Sequence, residues 1–222
     1  MRTLGGCTTR QIKFTCLLFG ITILLFQGLY ITQAICNDIK PPGPPDDLDS
    51  SLWTFPYQPV KEVAFGILPV QLERTTLREI KDRVGAGVIH ERGDAGDYES
   101  YICYSGRSAE RIWVSAGEMG GSEHAVTSVL LSTAIGSERP ADCPQIPDRF
   151  QPILVNRSLS IGSSVGQLEK LFGTPSTQKD GWLLYPYVGK VMSNKYDRLS
   201  LLAVRVNNGK IVNLAVFQTT SN

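Results

Sequence analysis

The chain has 222 residues, 42% of them apolar and 19% charged, with a formal net charge of +1. That apolar share supports a sizeable core, in one large or two small domains. Three cations, Arg2, Arg10 and Lys13, sit in an acid-free leader and leave a net −2 for the rest, which argues against nucleic acid or an anionic membrane as partner.

The leader reads as an export signal. A basic stretch ending at Lys13 precedes an apolar run from Phe14 to Ile31, followed by Thr32-Gln33-Ala34 with small residues where a signal peptidase cleaves. Cleavage is expected after Ala34; an uncleaved anchor and lipidation at Cys36 are the alternatives. Each places the remainder outside the cytoplasm, periplasmic or secreted. Residues 35–51, rich in proline, acid and serine, read as a solvated linker. Outside the leader stand Cys36, Cys103 and Cys143. A Cys103–Cys143 disulfide is expected, contributing about 4 kcal/mol in the chain-entropy model.

Folding is expected to start near Leu52, and VAFGILPV (63–70) reads as a strand. The segments TTLREIKDRVG (75–85) and SSVGQLEKLFG (163–173) follow one pattern. Leu77, Ile80 and Val84, and likewise Val165, Leu168 and Phe172, recur at helical spacing. Thr76 with Glu79, and Ser164 with Gln167, fit capping boxes, and Gly85 and Gly173 stand at the C-caps. After each come three strand-like runs: ESYICYSG, RIWVSAG and AVTSVLLST, then WLLYPYVG, LSLLAVRV and IVNLAVFQTT. Asn208-Gly209 is a hairpin signal. The expectation is an α+β fold of two tandem repeats, each a short helix packed on an antiparallel meander. The division is 1–34 signal peptide or anchor, 35–51 linker, 52–134 first repeat, 135–150 inter-repeat loop and 151–222 second repeat.

The capped helix, the proline two residues past it, the aromatic strand and the final Asn-Gly hairpin resemble the outer-membrane assembly lipoprotein family and beta-lactamase inhibitory protein. The resemblance spans about residues 60–219. It implies helices on one face of an antiparallel sheet, with the other face able to receive a protein partner.

Chemistry-bearing patterns are sparse. GSSVG (162–166) matches G-x-S-x-G, which would make Ser164 a nucleophile. Yet His90 and His124 both precede it, and Ser164 occupies a helix-cap position. His90, Glu91, Asp94 and Asp97 lack metal-ligand spacing and read as a solvated loop. Asn156-Arg157-Ser158 is a glycosylation sequon in a eukaryotic host. No cofactor is expected. Alternation places Tyr185 and Tyr187 on one side of a strand, with Tyr104 aligned to them and Trp113 and Trp182 nearby; these five are candidate binding residues, although each taken singly reads more readily as core. The function expected is an exported, non-enzymatic binding or inhibitor-type module presenting a sheet face to an envelope or extracellular protein. The alternatives are a small secreted hydrolase using Ser164 and a structural envelope protein tethered by its N-terminal segment.

Overall fold

The computed structural model describes residues 43–45, 48–94, 98–108, 110–133, 142–191 and 195–221. The leader, its cleavage point after Ala34, Cys36 and most of the linker lie outside the described residues, as do Asp97, residue 134 and residues 135–141 of the inter-repeat loop. In chain order the elements are β1 (Val63–Phe65), β2 (Leu68–Val70), α1 (Leu77–Val84), β3 (His90–Arg92), β4 (Glu99–Ser105), β5 (Glu110–Gly117) and β6 (Ser128–Thr133). They continue with β7 (Ile153–Val155), α2 (Val165–Phe172), β8 (Thr177–Lys179), β9 (Trp182–Val191), β10 (Tyr196–Asn207) and β11 (Lys210–Ser221).

Both helices are eight residues long and depend on their caps and one buried stripe, because a helix this short is marginal in water. In α1 the Thr76 hydroxyl accepts from the Glu79 N–H at 3.1 Å, and the Glu79 carboxylate accepts from the Thr76 N–H at 2.8 Å. Gly85, at φ 77°, ends it. Leu77, Ile80 and Val84 are buried. In α2 Ser164 caps the Gln167 N–H at 3.1 Å, but the Gln167 side chain donates to the Ser158 carbonyl at 2.6 Å rather than closing a box.

The strands overturn the expected pair of α+β repeats. Among the described residues the chain is mostly strand with two α-helices, and its antiparallel strands form one eight-stranded sheet, β3-β4-β5-β6-β11-β10-β9-β8, and one three-stranded sheet, β2-β1-β7. The two expected meanders are not separate units. β6 pairs with β11, with Leu130 opposite Ala215 and Val129 opposite Val216. Left apart, each would have exposed an apolar edge strand with unpaired backbone groups. The small sheet also draws on distant segments: VAFGILPV is a hairpin, β1–β2, and β7 pairs on its far side. The hairpin turns at Gly66, where φ is 52° and a Cβ would lie 2.3 Å from the Arg149 carbonyl oxygen, so only glycine fits.

Alternation along the large sheet separates two apolar faces. Ile102, Tyr104, Ile112, Val114, Leu131, Tyr185, Leu202, Val204 and Leu214 lie on the first face, in one core with α1, α2 and the small sheet. The second face carries Cys103, Trp113, Leu130, Trp182, Leu184, Leu201, Ala203 and Ala215.

Candidate binding face

The five aromatic candidates divide between these faces. Tyr104 and Tyr185 lie fully buried on the first face, and half-buried Tyr187 packs against the same core. The Tyr104 hydroxyl donates to the Ala86 carbonyl at 3.0 Å and that of Tyr185 to the Gly173 carbonyl at 3.3 Å, so each ties the chain just past a helix back to the sheet. Burial pushes both phenols up, that of Tyr185 to about 12, with the nearby Glu169 carboxylate and Tyr57 adding to the effect. Tyr104 and Tyr185 thus have a structural task and offer a partner little surface. Trp113 and Trp182 are buried on the second face, where the Arg205 guanidinium lies 4.9 Å from the Trp182 ring.

The second face also holds residues absent from the sequence-based list. Half-buried Trp53, Tyr101 and Phe217 pack against its apolar strip, as does Leu48. At one end of the sheet, the His90 ring stacks on Tyr101 at 5.2 Å and the Arg92 guanidinium lies 5.1 Å from the same ring. Arg92 pairs with Glu99 directly across the β3–β4 ladder. The disulfide joins Cys103 to Cys143 on this face, and the Ser105 hydroxyl donates to the Cys143 carbonyl at 2.9 Å.

Polar satisfaction distinguishes the two faces more sharply than hydrophobicity does. Among the described residues six buried side-chain nitrogen or oxygen atoms lack a hydrogen-bond partner. Five of them, His90 Nε2, Arg92 Nη1, Trp113 Nε1, Arg205 Nε and Thr219 Oγ1, belong to residues that strand alternation assigns to the second face; the sixth is Ser200 Oγ. The two arginine nitrogens and the indole can only donate. Unmet buried donors are costly, at about 1–3 kcal/mol each, and native proteins hold few of them. Three of the five are therefore donors that meet no acceptor within the fold.

The other sequence candidates show no catalytic arrangement. Ser164 Oγ is engaged as the cap of α2. Ser100 Oγ lies 3.1 Å from His124 Nδ1, but Ser100 is fully buried and the contact holds the turn at His124 against β4. No three His, Cys, Asp or Glu side chains among the described residues gather to hold a metal. Parity along β4 was a usable signal for the missed residues: Tyr101 is two positions from Cys103 and therefore opposite in facing to Tyr104. Nothing local pointed to Trp53 or Phe217.

Comparison with known proteins adds no relative: no family model, curated protein or solved structure matches the chain.

Proposed function

We propose that the chain is an exported, non-enzymatic binding module that presents the second face of its large sheet to a protein partner in the envelope or extracellular space. The observation that carries this reading is the concentration of unmet donors there, beside the half-buried aromatics Tyr101, Phe217 and Trp53. The half-buried aromatics are what a partner meets directly, and aromatics of this kind dominate interface energetics; the unmet donors lie buried beside them and gain acceptors when binding opens the face. The Cys103–Cys143 disulfide supports export, because such bonds persist in oxidising compartments.

The test is capture from an envelope or extracellular fraction with the full chain, with a doubly substituted Tyr101→Ser, Phe217→Ser form, and with Tyr57→Ser as a control away from this face. Thermal unfolding verifies that each form is folded. Loss of a partner in the double variant alone supports the reading. Equal recovery with all three forms rejects it.

A further inference from the structure

Among the described residues three turns place two successive residues at positive φ: Asn156–Arg157 (48° and 65°), Asp180–Gly181 (50° and 77°) and Asn208–Gly209 (49° and 71°). In the last two, glycine holds the second position, where a Cβ is disfavoured. Arg157 takes that conformation with a full side chain, which L-residues resist. Its return within the fold is small. The Arg157 side chain is 82% exposed and pairs with Glu62 at 2.9 Å, and such surface pairs contribute little. The turn carries a guanidinium where glycine would fold with less strain, and departures of this kind concentrate at ligand sites.

Arg157 stands at the mouth of a cavity of about 260 Å³ whose apolar lining includes Tyr57, Leu171 and Phe172. Tyr57 and Leu171 are among the few large apolar side chains left exposed, at 42% and 40%. The charged lining is Lys61, Arg157 and Glu62, two cations against one carboxylate, so the mouth is left positive. The Tyr57 hydroxyl donates to the Phe172 carbonyl at 3.3 Å, which occupies the oxygen at that helix end. The cavity is smaller than those that enclose drug-sized ligands.

From the strained arginine, the apolar lining and the positive mouth together, we propose that this cavity binds a small apolar carboxylic acid. The hydrocarbon part packs on Tyr57, Leu171 and Phe172, and the carboxylate meets Arg157 and Lys61. Asn156 holds the mouth in shape: its Oδ1 accepts from the Lys61 and Glu62 N–H groups at 2.9 and 3.3 Å, and its Nδ2 donates to the Pro59 carbonyl at 2.7 Å.

The test is a titration of the full chain with 3-phenylpropionate, with the equally shaped but uncharged 3-phenylpropionamide and with acetate, read by NMR at the Leu171 methyls and the Tyr57 ring. Saturable shifts with phenylpropionate are expected, with affinity about tenfold weaker for the amide, for Arg157→Gly and for Lys61→Gln, and weaker still for acetate. Unliganded Arg157→Gly should melt about 2–4 °C higher. A titration that does not saturate, equal affinity for acid and amide, undiminished binding by both variants, or a lower melting temperature for Arg157→Gly each overturns the proposal.

Discussion

The Tyr104 hydroxyl donates to the Ala86 carbonyl at 3.0 Å, joining β4 to the chain that leaves α1. Tyr104→Phe keeps the ring and removes this bond, leaving the carbonyl without its donor. A loss of about 1–2 kcal/mol is expected in urea unfolding. Tyr104→Ala, which also empties a fully buried site, should cost about 3–5 kcal/mol.

The same burial sets an alkaline limit. Below pH 10, the ordinary tyrosine value, folded and unfolded chains both keep Tyr104 and Tyr185 protonated, and the contribution of the buried phenols is fully present. Above it the unfolded chain releases protons that the folded chain retains. Stability therefore falls as pH rises from 10 through the folded value, about 12 for Tyr185. Unfolding free energy measured across this range should decline, and Tyr185→Phe should flatten part of the slope.

Reduction of Cys103–Cys143, which lie 40 residues apart, should lower stability by about 4 kcal/mol. Intact mass with and without reductant, followed by denaturant titration of both forms, checks the bond and its contribution together.

Asn156 combines three hydrogen bonds with a left-handed backbone that asparagine tolerates better than most residues. Asn156→Ala should cost about 2–4 kcal/mol by urea unfolding.

Thr76→Ala and Ser164→Ala should each cost about 1 kcal/mol, as lost helix caps do. Thr76→Ala is expected to cost less than Ser164→Ala, since the Glu79 carboxylate still accepts from the backbone N–H of residue 76 and keeps half of the box. Equilibrium unfolding of the two variants side by side gives the comparison.

Local grammar was legible; long-range pairing was not. Thr76, Ser164, Gly85 and Gly173 mark helix ends because orphan N–H and C=O groups demand particular side chains there, and Asn208-Gly209 marks a turn that demands positive φ. The pairing of Val129 with Val216 has no local signal, since any two apolar strands of matching parity can adjoin. That gap is why two separate repeats were expected where the strands merge. The tyrosines were correctly grouped on one side of their strands, but whether that side met water or a helix depended on packing that alternation alone does not encode. Cys103 pointed towards the candidate face, through its parity with Tyr101. Trp53 reaches that face from a segment with no apolar period, and only the folded chain brings it there.

The large sheet begins and ends with strands of three residues, His90–Arg92 and Thr177–Lys179. β8 covers only Trp182–Leu184 of β9; beyond it Thr54 bridges Tyr187 and the Phe55 N–H bonds the Pro186 carbonyl, so that border offers a neighbouring molecule an interrupted ladder, and Glu91 and Lys179 set charge on the two outer strands. Edge-to-edge strand addition between copies, the first step towards a fibre, is thereby disfavoured.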